Sequence, residues 1–318
     1  MAMYRDALPQ LSNDFFLADA GLETTLSFLE GIEIPLFASF TVLGEPDGRA
    51  ALRRYFDSYA ALARRFECGL ELDTATWRCN PDWGEKLGYG ASELAETNRE
   101  SVRQLEEVRA AHASPHPIVI SGCLGPRGDG YVPSAVMSAD EAAAYHAPQI
   151  ETFADTAADL VGAATMNYVE EAVGITRAAE RAGMPVVISF TVETNGCLPT
   201  GQGLGAAIEQ VEEETGQYPA YYMINCAHPT HFESTVARGG AWTERIQGIA
   251  ANASCMSHAE LDEASELDIG DPAELGAQYA SLRQHLPQLN VMGGCCGTDI
   301  RHIEEIAVAC RPLFEGGG

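Results

Sequence analysis

The sequence predicts an α/β chain folded as a single (β/α)8 TIM barrel, and three observations carry that prediction. Short apolar runs recur eight times, each is followed by a helix-like stretch, and about 300 residues hold the whole series. A doubly wound open sheet is the alternative, but it has edges and usually fewer strands. With 318 residues, 46% of them hydrophobic, the chain has enough apolar surface to bury a large core. No repeat, low-complexity tract or Pro/Ser linker divides it, so residues 1–318 are expected to form one barrel domain.

The first run is FFLADAG (15–21), and the first long amphipathic stretch is RAALRRYFDSYAALARRFE (49–67). LELDTAT (70–76) and IVISGCLG (118–125) follow as the second and third strands. Before the fourth strand lies MSADEAAAYHAPQIETFADTAAD (137–159), where Ser138 and Glu141 make a capping-box pattern at a helix start. After LVGAATM (160–166), the stretch EEAVGITRAAERAG (170–183) closes on a glycine suited to a helix C-terminus. The remaining strands are PVVISFTV (185–192), YYMINCAH (221–228), RIQGIAANAS (245–254) and NVMGGCCG (290–297). Several of these are unbroken aliphatic runs, the pattern of parallel strands covered on both faces. GQGLG (201–205) follows no strand directly and lacks dinucleotide-binding spacing, so it reads as a loop.

A net charge of −27 excludes nucleic acid as a partner, because phosphate binding requires a basic surface. The same field favours cationic small molecules over anionic ones. No stretch approaches the roughly 20 apolar residues of a membrane span. The opening MAMYRDALPQLSNDFF has no basic segment followed by an apolar one, so no membrane partner is expected and a cytoplasmic location is. Nine cysteines in such a chain point to reduced thiols rather than a disulfide framework. The sequence leaves the oligomeric state open, a homo-oligomer included.

In such barrels the chemistry gathers where strands end, because the following loops converge on one mouth. Strand one ends at Asp19, strand two at Thr74 and Thr76, strand six at Asn225-Cys226, strand seven at Asn252 and strand eight at Cys295-Cys296. Three cysteines therefore face the same mouth. Three sulfurs with one open position describe a catalytic zinc site, and no CxxC pair offers a closed structural one. Gly293, Gly294 and Gly297 would let the backbone turn tightly enough for neighbouring cysteines to reach one ion. A reactive thiol and plain packing remain alternative readings of the sulfurs, and His228 and His231 are alternative nitrogen ligands. Cys68, Cys79, Cys123, Cys197, Cys255 and Cys310 read as small apolar fillers. Asn252-Ala-Ser is a chance match to a glycosylation triplet.

DAGLETTL (19–26), INCAHP (224–229), ANAS (251–254) and GGCCGTDIRHI (293–303) together resemble the homocysteine S-methyltransferases, a family of zinc barrels, over nearly the whole chain. The resemblance implies that Cys226, Cys295 and Cys296 are the zinc ligands and that Asn252 lies beside the metal. It also implies that Asp19 helps bind the amino-acid end of homocysteine, with Thr24 in the same motif. Thr74 and Glu193 complete the substrate-binding candidates. Two positions depart from the family. Ala164 stands where the family carries a strand-four glutamate that grips the substrate ammonium, and Ala20 replaces the second glycine of the first motif. Glu193 or Glu170 is the expected replacement for the lost charge.

The implied reaction moves a methyl group from a cationic donor (S-adenosylmethionine, S-methylmethionine or betaine) to a thiol, with homocysteine giving methionine. Trp77, Trp83 or the Tyr221-Tyr222 pair are candidates to cage the donor cation. The rival readings are a zinc hydrolase on the same barrel and a non-catalytic thiol or metal sensor.

Overall fold

The computed structural model describes residues 2–133, 136–264 and 266–314. Its eight strands are β1 (Phe16–Ala18), β2 (Gly69–Asp73), β3 (Ile118–Leu124), β4 (Leu160–Met166), β5 (Val186–Phe190), β6 (Tyr221–Asn225), β7 (Ile246–Ala251) and β8 (Val291–Gly294). Each pairs in parallel with the next, and β8 returns to β1 through Phe16↔Val291 and Leu17↔Met292. The barrel is closed, so the open-sheet alternative is excluded. Seven strands fall inside the runs picked from the sequence, and β2 begins one residue ahead of its run, at Gly69.

The helices are α1 (Leu22–Thr24), α2 (Pro46–Arg65), α3 (Pro81–Leu87), α4 (Ala91–Ala111), α5 (Ala139–Ala154), α6 (Val169–Ala182), α7 (Leu204–Thr215), α8 (Pro229–Ala237), α9 (His258–Glu263), α10 (Pro272–His285) and α11 (Ile300–Cys310). Ser138 caps α5 as expected: its hydroxyl accepts from the Glu141 amide at 3.3 Å, and the Glu141 carboxylate accepts from the Ser138 amide at 2.9 Å. Gly183 ends α6 with φ +65°. The α5 stretch stops earlier than its composition suggests. The Thr156 hydroxyl donates to Phe153 O at 2.6 Å, and Asp159 turns inward to accept from the amides of Met3, Tyr4 and Ile120. A local side-chain partner has displaced the next helical turn. α5 and α6 pack closely because Gly174 has no side chain; a Cβ there would lie 2.5 Å from Ala139 O.

The two faces of the barrel differ, and the difference places the site. The N-terminal segment seals one end: Gln10 is wholly buried and donates to Glu71 at 2.8 Å, while Asn290 donates to Gln10 O, Ser12 O and Asp14 O. Arg5 adds hydrogen bonds to the carbonyls of Ala154, Thr156 and Ala158. The opposite end, where the strands finish, stays open as a cavity of about 460 Å3. Among the described residues no helix is long and apolar enough to cross a membrane.

Candidate metal centre

β6 ends at Asn225, and Cys226 then takes a left-handed conformation with φ +52°. For a residue with a side chain this costs energy, and surrounding bonds hold it. The Cys226 amide donates to Ala250 O at 3.1 Å, and its carbonyl accepts from His258 Nε2 at 2.8 Å and from the Thr191 hydroxyl at 3.3 Å. The turn after β8 is tied as closely. Cys295 N donates to Ala251 O at 2.8 Å, and both the amide and the hydroxyl of Thr298 donate back to Cys295 O. Gly297 has φ +79°, which a side chain would oppose; a Cβ there would also lie 2.7 Å from Asp268 O.

These two turns bring the sulfurs of Cys226, Cys295 and Cys296 within 4.8 Å of one another. They are the one such group of three or more His, Cys, Asp or Glu ligands among the described residues. Cys226 and Cys295, with Cα atoms 5.3 Å apart, are joined as a disulfide, while the other seven cysteines are free. The physical reason is the convergence itself: sulfurs placed to share an ion are also near enough to bond each other. The bond does not join the sequence neighbours 295 and 296.

The donor set fits a metal. Three sulfurs on one zinc at about 2.3 Å sit roughly 3.8 Å apart, a spacing within reach of this cluster by side-chain rotation once the disulfide is reduced. Asn252 is 1% exposed, and its Oδ1 has no hydrogen-bond partner. Burial pushes the Cys296 thiol up to about 11, so without a cation this sulfur stays protonated at neutral pH. The Tyr131 hydroxyl contacts Cys296 Sγ at 3.6 Å, and its ring stacks on His258 at 3.9 Å.

Asp19, Thr24 and Thr74 line the cavity with Cys226, Cys295 and Cys296. Thr24 links two turns: its hydroxyl donates to Gly21 O at 3.0 Å and accepts from the Gly297 amide at 3.2 Å. Thr74 pairs with Thr76 at 2.6 Å and accepts from the Cys123 amide. Cys123 lines the wall as well, which gives it a place in the cavity that the filler reading missed; Cys255 is exposed and fills nothing.

Other candidates lie elsewhere. Glu193 is absent from the lining and faces His258 Nδ1 at 3.2 Å, and Glu170 is exposed in the first turn of α6. Neither is among the residues that line the cavity beside Ala164. Asn252 is also absent from the lining, and its backbone amide donates to Ala227 O at 3.2 Å. His228 caps α8, pushed down to about 4 by burial, and His231 pairs with Cys255 O at 3.0 Å. Neither histidine joins the sulfurs.

The proposed aromatic cages are already engaged. Arg78 lies 4.1 Å and Lys86 4.0 Å from the Trp83 ring, and Arg78 also covers Trp77 at 4.9 Å. Tyr221 points down to Glu71 at 2.8 Å, and Tyr222 points out to Glu212 at 2.9 Å. Internal cations reached the ring faces first.

Sequence reasoning missed Glu71 and Asp73, although the signal was there. In LELDT the residues alternate, with Leu70 and Leu72 fully buried against the helices and Glu71 and Asp73 lining the cavity. It also missed Tyr131, which sits on an irregular segment, and His258, which opens the short helix α9. Eight Asp and Glu residues line the cavity against one basic residue, Arg78, among the described residues. Burial, then the neighbouring Asp73, raises Glu71 to about 8.

The sign of the resulting pH effect follows. Between about pH 4.5 and 8 the folded chain holds a proton on Glu71 that the unfolded chain has released, so stability falls as pH rises through that window. Glu71→Gln keeps an acceptor for Tyr221 and Gln10. It is expected to raise Tm at pH 8 by about 2 °C or more, with little change at pH 5. Thermal melts at both values check this, and an equal shift at both pH values would contradict it.

A family model described as homocysteine S-methyltransferase matches residues 16–310. Over 150 residues, 43% of the chain, the sequence is 29% identical to methionine synthase of Mycobacterium tuberculosis (strain ATCC 25618 / H37Rv); the match spans 11% of that relative's length. The homocysteine methyltransferase MmuM from Escherichia coli in its oxidized form superimposes with TM-score 0.76 at 18% identity, covering 95% of this chain and 98% of that one. Its metallated form gives 0.72 at 20% identity, covering 94% and 96%. At these identities the structural likeness establishes a shared fold.

Proposed function

The chain belongs to the homocysteine S-methyltransferase family, and from that premise we propose that it transfers a methyl group from a cationic onium donor to a thiol, homocysteine first among candidates, at a zinc ion. Residues 1–318 act in this reading as one homocysteine-binding-type barrel. The observation that carries it is the meeting of Cys226, Cys295 and Cys296 at the open end of the barrel.

In the reduced protein these three cysteines would hold the ion, and Asn252, whose buried Oδ1 has no hydrogen-bond partner, is the candidate for the position beside it. Zinc bound there would keep a thiol deprotonated at neutral pH without over-stabilising its charge, since three anionic sulfurs already surround the ion. The chain's own residues do the rest. Thr24 and Thr298 fix the turn that presents Cys295 and Cys296. Tyr131 touches Cys296 and stacks on His258, which in turn holds the Cys226 carbonyl. The acidic wall attracts a positively charged donor and repels anions.

Transfer forms a bond between thiol sulfur and methyl carbon. The donor's bond to that carbon breaks, its electron pair leaves with the now neutral donor, and the thiol proton goes to solvent. Holding sulfur and methyl in line at roughly 3–3.5 Å lowers the barrier by orientation. The wall's carboxylates leave S-adenosylmethionine, S-methylmethionine and betaine as donors to compare.

The test is a matrix of these donors against a panel of thiols, run on reduced protein of known metal content. Methyl transfer with one zinc per chain is the expected result. Hydrolysis without transfer would favour the hydrolase reading, and metal binding with neither activity would favour a sensor.

A further inference from the structure

Of the three sulfur-bearing residues, Cys226 is the one whose backbone is strained, with φ +52°. A residue in that region persists only where its surroundings over-determine it. The carbonyl of Cys226 is where they act. His258 is 4% exposed, and its Nε2–H donates to Cys226 O at 2.8 Å, since a carbonyl oxygen only accepts. Glu193 Oε1 faces the other ring nitrogen, Nδ1, at 3.2 Å. A carboxylate on one imidazole nitrogen orients the ring and commits the other nitrogen to its partner. Glu193 is itself fixed: its amide donates to Cys197 O and its carbonyl accepts from the Gly196 amide, both at 2.8 Å. The Tyr131 ring lies 3.9 Å from His258 and within 10° of parallel, with its hydroxyl 3.6 Å from Cys296 Sγ. Segments that follow β3, β5 and β7 thus meet on one imidazole. It bonds the turn of one sulfur directly and reaches a second through Tyr131.

His258 also opens α9, which belongs to the mouth. Ser257 caps this helix, its hydroxyl accepting from the Glu260 amide at 3.3 Å, and Leu261 and Asp262 line the cavity. The chain is tied again beyond α9. Asp268 accepts from the Ser254 hydroxyl at 2.6 Å, and His302 Nε2 donates to Ile269 O at 2.8 Å. Leu261 and Asp262 therefore sit on a span held at two ends, and the bond from His258 to Cys226 O holds the first. Coupling of this kind is reciprocal: whatever steadies Cys226 steadies α9.

We infer that Glu193 and His258 are positioning residues for the metal centre: Glu193 orients His258, and His258 holds Cys226 in the turn that presents its sulfur, so that metal binding and the order of α9 are linked. This rests on the metal site of the methyltransferase reading. It adds two side chains that are not among the cavity lining.

Competition with a chromophoric chelator gives the zinc Kd of the reduced chain, and hydrogen exchange read by mass spectrometry follows residues 259–263. Zinc should slow exchange there in the wild type. His258→Leu should weaken zinc at least about tenfold, the usual cost of losing a partner behind a metal ligand, and should erase the zinc-dependent protection. His258→Gln, whose side-chain amide still donates to a carbonyl, should stay within about threefold of wild type. Glu193→Gln should fall between the two. Metal-free thermal melts of both Gln variants close to wild type would accompany these values. Wild-type zinc affinity in His258→Leu or Glu193→Gln, equal losses in His258→Leu and His258→Gln, or α9 exchange indifferent to zinc overturns the inference. The functional reading fails separately. Zinc binding that depends on His258, with no methyl transfer from any donor, supports the positioning pair and refutes transfer alone; a wild type that takes up no zinc refutes the metal site and the pair together.

Discussion

Cys295→Ser is expected to leave the reduced protein without bound metal and to cut thiol methylation by at least about 100-fold. Partners one shell removed from a metal commonly cost 10–100-fold, and a lost thiolate ligand costs more. A serine hydroxyl does not ionise near neutral pH and is a poor ligand for an ion that favours sulfur. The fold should tolerate the change. Cys295 is partly exposed, and the hydrogen bonds that shape its turn come from backbone atoms and Thr298. A thermal melt close to wild type would accompany the loss. Cys310→Ser is the control: this buried thiol ends α11 and lies outside the sulfur cluster, so its metal content should stay at one per chain. Metal analysis with labelled-methyl transfer checks both. Cys295→Ser that keeps stoichiometric metal would show that the sulfurs do not act together.

Oxidation should switch metal binding off completely. The bond between Cys226 and Cys295 consumes two of the three sulfurs as ligands, and Cys296 with Asn252 cannot hold an ion against buffer. Treatment with diamide is therefore expected to release the metal and reduce transfer to background. Dithiothreitol plus zinc should restore both, since reducing the bond adds two electrons and two protons and changes nothing else in the chain. Cys226→Ala removes the partner and should abolish the oxidant-sensitive Cys226–Cys295 cross-link seen by mass spectrometry. If oxidised protein retains its full metal content, the disulfide and the ion do not compete for the same sulfurs.

The barrel was legible because its signals are redundant. Eight apolar runs, spaced by amphipathic stretches, leave one economical way to bury every apolar face, and Ser138 and Gly183 mark helix ends independently. The approach of Cys226 to Cys295 and Cys296 followed from topology, since strands six and eight of a closed barrel open on one mouth. Whether two of them bond was not legible, because it depends on rotamers and on redox state. The neighbours of the site were harder still. Glu193 looked free to meet substrate, yet His258 from a segment 65 residues away takes it. Trp77 and Trp83 looked available for a donor cation until Arg78 settled over both. Pairings between loops leave no periodic trace. Asp73 did leave one, in the alternation of LELDT, but a search for unbroken apolar strands passes over it.

The central claim is that three sulfurs from two strand ends bind one zinc and leave one position free. X-ray absorption at the zinc edge of the reduced, loaded protein tests it most directly. The account predicts one zinc per chain with three sulfur neighbours near 2.3 Å and one lighter neighbour, which homocysteine replaces with a fourth sulfur. A zinc surrounded by nitrogen and oxygen alone, or reduced protein that takes up none, would contradict it.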